Sequence, residues 1–144
     1  MRGIVIDASV AAKWFLPAAG EPLSEEAAAL LQRYVRGEVR FLVPDLFWAE
    51  LANVLWKAAR QGRCTGAAAQ QAVAAMRKRN LPTVPSQVLL DQALALAIAL
   101  DRSAYDCLYV VLAIRSKTHL VTADERLANA LAVRFPVKWL GSAW

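Results

Sequence analysis

Four carboxylates stand where a charge is costly. Asp7 ends the run GIVI, and Glu50 lies inside DLFWAELANVLW. Asp106 lies inside AYDCLYVVLA, and Asp124 follows the run HLVTA. Two hydroxyls accompany them: Ser9 two residues after Asp7, and Thr122 two residues before Asp124. Carboxylates ~6 Å apart repel by about 3 kcal/mol at an effective dielectric of about 20, so six such pairs cost on the order of 15 kcal/mol. If the four meet, either some protonate or a cation sits among them. An oxygen donor set with no His or Cys cluster suits a hard cation, Mg²⁺ or Mn²⁺. Such a cation binds phosphate oxygens and activates water. Ser9 and Thr122 would orient a ligand carboxylate or a water from behind.

Each acid also has an ordinary structural use. Asp7 and Asp124 can cap helices that start directly after strands. Ser103-x-x-Asp106 and Thr122-x-x-Glu125 fit capping-box patterns. Glu50 has the weakest such explanation, because it lies well past its helix start in apolar company. Asp45 and Asp101 read as caps, and Asp91 as the polar side of its helix.

The elements that must position these groups follow from periodicity and punctuation. Residues 3–6 read as a buried strand. A helix is expected over 8–16, stopped by Pro17, and an amphipathic one over 22–36, with Gly37 past its end. Residues 40–43 read as a second strand. Asp45 is expected to cap a helix reaching Gln61, and Thr65 to cap an alanine-rich one reaching Arg79. LPTVPS is a connector with room for a short strand. Apolar helices over 87–100 and 103–115 follow. The chain closes with a strand over 119–122, a short helix over 124–131 and a strand over 137–140. Short apolar strands separated by helices imply an α/β fold with a central parallel sheet covered by helices on both faces. Asp7 and Asp124 then sit at the carboxyl ends of two strands. Asp106, early in the helix preceding the strand 119–122, returns to the same edge. Glu50 is only ~7.5 Å along its helix from Asp45. All four can converge where open α/β sheets bind ligands.

Composition narrows the classes. The chain has 144 residues, 58% hydrophobic and 20% charged, which excludes a disordered chain and fits one domain, 1–144. Cys64 and Cys107 make no disulfide framework and suit a reducing cytosol. The single histidine, His119, makes His-rich zinc sites and Ser-His-Asp hydrolases poor readings. No segment approaches the ~20 apolar residues of a membrane span, so a soluble cytoplasmic protein with no membrane association is expected. The net charge is +5. From Leu51 to Leu90 there is no acid, while Lys57, Arg60, Arg63, Arg77, Lys78 and Arg79 contribute +6. This helical hairpin insert is either a solvated face or a surface that meets phosphate.

At VIDASV, PDLFWAELANVL, SAYDCLYVVLA and LVTADERL, in that order over nearly the whole chain, the sequence resembles the PIN-domain ribonucleases. The closest resemblance is to the toxins of VapBC toxin–antitoxin systems. The resemblance implies a PIN-like sheet whose acidic pocket, Asp7, Glu50, Asp106 and Asp124, binds Mg²⁺ or Mn²⁺. Ser9 and Thr122 take the accompanying hydroxyl positions. The implied activity is metal-dependent endoribonuclease cleavage by activated water, leaving a 5′-phosphate and a 3′-hydroxyl. The implied partners are RNA, a cognate antitoxin and a second copy of the chain as a homodimer. Arg60, Arg63, Arg77, Lys78 and Arg79 are candidates to hold the RNA backbone. Trp14, Phe15, Phe47, Trp48 and Trp56 border the site; at least half should be core, and the rest could leave an apolar groove for an antitoxin segment. A nuclease of RNA processing would share the site and differ in partner. A phosphoacceptor receiver domain would want a second acid after Asp7, where Ala8 stands. A decayed binding module fits poorly with four acids present.

Overall fold

The protein is described by a computed structural model covering residues 2–142. Five strands form one parallel sheet: β1 (Arg2–Ile6), β2 (Val39–Pro44), β3 (Thr83–Val84), β4 (His119–Thr122) and β5 (Val137–Trp139). Their order across the sheet is β3-β2-β1-β4-β5. β1 pairs with β2 on one side (Ile4 opposite Phe41) and with β4 on the other (Ile6 opposite Val121). Successive strand residues point to opposite faces, yet Ile4, Val5 and Ile6 are all buried, so helices cover both faces. The chain first builds outward from β1 through β2 to β3, then crosses back to place β4 on the far side of β1. That reversal puts a topological switch point between β1 and β4, where a crevice opens at the carboxyl ends of the strands.

The helices are α1 (Ala8–Ala12), α2 (Ser24–Val35), α3 (Leu46–Arg60), α4 (Gly66–Arg77), α5 (Leu90–Leu100), α6 (Ala104–Arg115) and α7 (Glu125–Leu131). α6 packs across β1, β2 and β4, and α1 packs against α3. Cys107, Leu108, Tyr109, Val110, Val111, Leu112 and Ala113 of α6 are all buried, which makes it the central helix of the core. A ring stack fixes α2 to the sheet: Phe41 lies between Tyr34 at 4.6 Å and Trp14 at 5.4 Å. Cys64 and Cys107 are free thiols.

Several boundaries differ from the sequence expectation. α1 ends at Ala12 rather than Leu16, and the chain continues to Phe15 in tighter turns, with Trp14 N–H on Ala11 O and Phe15 N–H on Ala12 O. Pro22 stays outside α2, because Leu23 adopts a left-handed φ of 61° and the Pro22 carbonyl accepts from Lys13 Nζ. Asp45 does not cap α3. Its carboxylate accepts from Ser86 N–H at 2.9 Å, and the Ser86 hydroxyl accepts from Leu46 N–H, so a pair across the chain replaces the local cap. The expected helix over 87–100 begins as a 3₁₀ turn, Ser86–Leu89. Only its small residues Ala93 and Ala97 are buried in α5, while Leu94 is 56% and Ile98 75% exposed.

Candidate active site

The site is assembled by backbone devices at the sheet's carboxyl edge. β1 ends at Ile6, and Asp7 caps α1 by accepting from Val10 N–H at 3.3 Å. β4 ends at Thr122, and Asp124 caps α7 by accepting from Leu127 N–H at 3.1 Å. Because β1 and β4 are neighbours, the two caps face one crevice. Ser103 caps α6 and accepts from Asp106 N–H at 3.1 Å, which fixes Asp106 in the first turn. Glu50 projects from the second turn of α3. Asp7, Ser9, Glu50, Asp106 and Asp124 line a single cavity of about 180 Å³.

The hydroxyls hold this arrangement together. Ser9 Oγ donates to Asp7 Oδ1 at 2.5 Å and accepts from Ala123 N–H at 3.2 Å, bridging the ends of β1 and β4. Thr122, fully buried, accepts from Asp124 N–H at 3.0 Å, and its hydroxyl also helps to stabilise the Asp7 carboxylate. The capping and functional explanations of these residues are therefore compatible: the same bonds that start the helices aim the acids.

Electrostatics match a pocket that lacks positive charge. Burial pushes the Asp7 carboxyl up to about 6, against the opposing bonds from Ser9, Thr122 and Val10 N–H. Burial likewise raises Glu50, with repulsion from Asp106 adding to it, and raises Asp106, with repulsion from Asp124 adding to it. Arg102 lowers Asp106, but by less than desolvation raises it. The ion pairs Lys13–Glu21 and Arg63–Glu21 lie outside the cavity lining.

Among the described residues no three His, Cys, Asp or Glu side chains are drawn together into a finished coordination shell. The carboxylates turn instead toward hydroxyl donors, Asp7 to Ser9 and Glu50 to Tyr109. The donor chemistry nonetheless fits a hard divalent cation: only oxygens line the polar side, and three of the four acids have raised proton affinities that a cation would reverse.

Two contributors escaped the sequence reading. Tyr109 lines the cavity and donates to Glu50 Oε1 at 2.5 Å. Its signal was its position three residues after Asp106, on the same helix face. The second is Arg102, a cation whose charge reaches Asp106.

The basic residues are not gathered into one patch. Arg60 closes α3 and Arg63 lies in the turn before α4, while Arg77, Lys78 and Arg79 lie at the far end of α4, about 18 Å along its axis. Arg60 lies over the Trp56 ring, Arg79 over the Tyr34 ring, and Arg63 binds Glu21 at 3.1 Å. Lys78 and Arg79 border an open depression of about 490 Å³. Of the five aromatics, Phe47 is fully buried, and Trp14, Phe15 and Trp48 pack on the core. Trp14 and Trp48 satisfy their indole N–H groups on Ala27 O and Thr83 Oγ1. Trp56, 52% exposed, borders an apolar groove of about 380 Å³ between α3 and α4. α1 and α3 pack directly, so the groove is not between those two helices.

Comparison with known proteins agrees with the geometry. The family model described as PIN domain matches residues 4–131. Ribonuclease VapC3 of Pyrobaculum aerophilum is 32% identical over 128 residues, which are 88% of this chain and 92% of that protein. The crystal structure of PAE2754, also from Pyrobaculum aerophilum, superposes with a TM-score of 0.69 at 22% identity, covering 96% of this chain and 90% of that one. The structure of VapC20 of Mycobacterium tuberculosis, a toxin that cleaves the sarcin–ricin loop, superposes with a TM-score of 0.66 at 16% identity, covering 92% and 95%. The chain belongs to the PIN-domain family.

Proposed function

We propose that this chain, a single PIN domain over residues 1–144, is a Mg²⁺- or Mn²⁺-dependent endoribonuclease and the toxin of a toxin–antitoxin pair. The observation that carries the reading is the convergence of four carboxylates on one cavity at the β1–β4 switch point, with no Lys or Arg in the lining. The similarity to Ribonuclease VapC3 supports the substrate class. Asp7, Glu50, Asp106 and Asp124 hold the cation. When bound, a divalent cation supplies transition-state charge stabilisation and a more acidic water. Asp7 is held by Ser9 and the α1 amide of Val10. Asp124, the most exposed, faces the open side from which a phosphodiester enters. Arg77, Lys78 and Arg79, with Arg60 and Arg63, hold the RNA backbone.

The test is cleavage of RNA by the purified chain. Activity should require Mg²⁺ or Mn²⁺ and stop with EDTA. Undiminished cleavage in EDTA sinks the metal reading.

The α3–α4 groove beside Trp56 receives an apolar segment of the cognate antitoxin. Leu90, Leu94 and Ile98 of α5 leave an exposed apolar stripe that a second copy covers as a homodimer. Leu94→Asp together with Ile98→Asp should shift sedimentation to the 15.7 kDa monomer. A wild-type mass of 15.7 kDa at all concentrations removes the dimer. Among the described residues no helix is long and apolar enough to cross a membrane. A toxin that acts on cellular RNA works in the cytoplasm.

A further inference from the structure

Three of the acids owe their positions to backbone. Asp7 and Asp124 cap helices, and Asp106 sits at a capped helix start. Glu50 has no such aid. It lies within α3, where backbone N–H groups are engaged in the helix, and its side chain has more rotatable bonds than an aspartate. A free glutamate loses appreciable rotamer entropy when held in one geometry. The fixing contact comes from another element: Tyr109 of α6, 59 positions along the chain, donates its hydroxyl to Glu50 Oε1 at 2.5 Å.

We propose that Tyr109 is a positioning residue for Glu50, holding one carboxylate oxygen so that the other is presented to a divalent cation. The inference rests on the metal-dependent reading above. Tyr109 is 3% exposed and its ring is part of the α6 core face, so the hydroxyl has little freedom to move. It lines the same cavity as Asp7, Glu50 and Asp106. A phenol among carboxylates acts as a donor, and burial with the adjacent Glu50 pushes its own ionisation far up. The choice of donor matters. A Lys or Arg here would hold Glu50 equally well but would cancel the negative charge that attracts a cation. A neutral hydroxyl orients the carboxylate and leaves the pocket's charge intact. Partners of this kind behind metal-binding side chains typically change metal affinity by 10–100-fold.

The experiment measures Mn²⁺ affinity by calorimetry on RNA-free protein for wild type, Tyr109→Phe, Glu50→Ala and the double variant. Tyr109→Phe should weaken Mn²⁺ binding about 10-fold or more. In the Glu50→Ala background the same change should add nothing, because its effect passes through Glu50. Unchanged affinity in Tyr109→Phe overturns the inference, as does an equal weakening in both backgrounds. Wild-type protein that takes up no Mn²⁺ overturns the metal-dependent reading itself, and the inference with it. Should Tyr109→Phe fail to fold, 3-fluorotyrosine labelling gives a second readout. The chain has three tyrosines, assigned by Tyr34→Phe and Tyr105→Phe. The Tyr109 resonance should move in Glu50→Ala and on adding diamagnetic Mg²⁺ to wild type. A resonance indifferent to both overturns the inference.

Discussion

In the acidic cavity three charges stand at helix starts and the fourth, Glu50, is held by the Tyr109 hydroxyl, whereas along the α3–α4 hairpin charge hangs on long side chains. Asp7 and Asp124 accept from the amides of the helices they begin, and Ser9 bridges two strand ends to keep Asp7 in place. Arg60 and Arg79 rest on aromatic rings, and Arg63 reaches across to Glu21. The first region concentrates like charges in a half-buried space, and burial raises the proton affinities of Asp7, Glu50 and Asp106. The second spreads like charges over about 18 Å of exposed helix, where water screens them. The chemistry of the cavity suits small, dense counter-charge. The hairpin suits a long, distributed one such as a phosphate backbone. One region should therefore respond to single atoms, the other only to summed charge.

The largest effect follows from the cavity. Asp7→Asn and Asp106→Asn should each lower RNA cleavage more than ~100-fold, beyond what removal of a supporting hydrogen bond costs. Both variants should fold, since an amide oxygen can still accept from Val10 N–H at the α1 cap, and Asp106 N–H keeps Ser103. Expression of wild-type chain without its antitoxin should arrest growth, and Asp7→Asn should abolish the arrest. Cleavage by purified, folded Asp7→Asn at the wild-type rate breaks the comparison at its stronger end. Healthy growth under strong wild-type expression favours a nuclease of RNA processing over a toxin.

The hairpin should yield a smaller, graded effect. Neutralising Arg77, Lys78 and Arg79 should flatten the dependence of RNA binding on salt by about 0.7 in log–log slope for each RNA phosphate that is no longer neutralised. Neutralising Arg60 and Arg63 should flatten it less, because Glu21 already compensates Arg63. The check is a salt titration of RNA binding in Ca²⁺ or without metal, so that cleavage does not intervene. Slopes unchanged in both variants return the hairpin to a solvated face.

The same contrast explains what is legible in the sequence. Strand ends and caps are local, so Asp7, Thr65, Ser103 and Asp124 can be placed from their neighbours, and the strand His119–Thr122 has the expected bounds. Convergence of the acids follows from parallel topology together with the positions of Asp106 and Glu50 near the starts of their helices. Pairings between distant side chains are not legible. Tyr109 looks like one more apolar residue in AYDCLYVVLA, because its partner is 59 positions away. Asp45 looks like a cap because nothing local reveals Ser86. The long apolar run over 87–100 suggests a buried helix, but burial is decided by Ala93 and Ala97, whose small side chains admit α6 and leave the larger Leu94 and Ile98 outside.

The last effect is on stability, and it separates the two regions by pH. Asp7 carries a carboxyl raised from 3.8 to about 6 in the folded chain. The folded state therefore holds a proton more tightly than the unfolded state between about pH 4 and pH 6. Stability from this group is fully present below pH 4 and is lost as pH rises through about 6, up to about 3 kcal/mol. Glu50 and Asp106 are raised for the same first cause, burial, and push in the same direction. Metal-free protein should thus melt at a higher temperature near pH 5 than near pH 7. Mg²⁺ should reverse the order, because it binds the ionised carboxylates and stabilises the folded state that holds them. Asp7→Asn should flatten the metal-free profile, whereas neutralising Arg77, Lys78 and Arg79 should leave its slope between pH 5 and pH 7 unchanged. His119, lowered by burial, pushes the other way over this range, so the check is the difference between wild type and Asp7→Asn. Identical metal-free profiles from pH 5 to pH 7 would show that Asp7 is not a desolvated acid, and the contrast with the hairpin would fall.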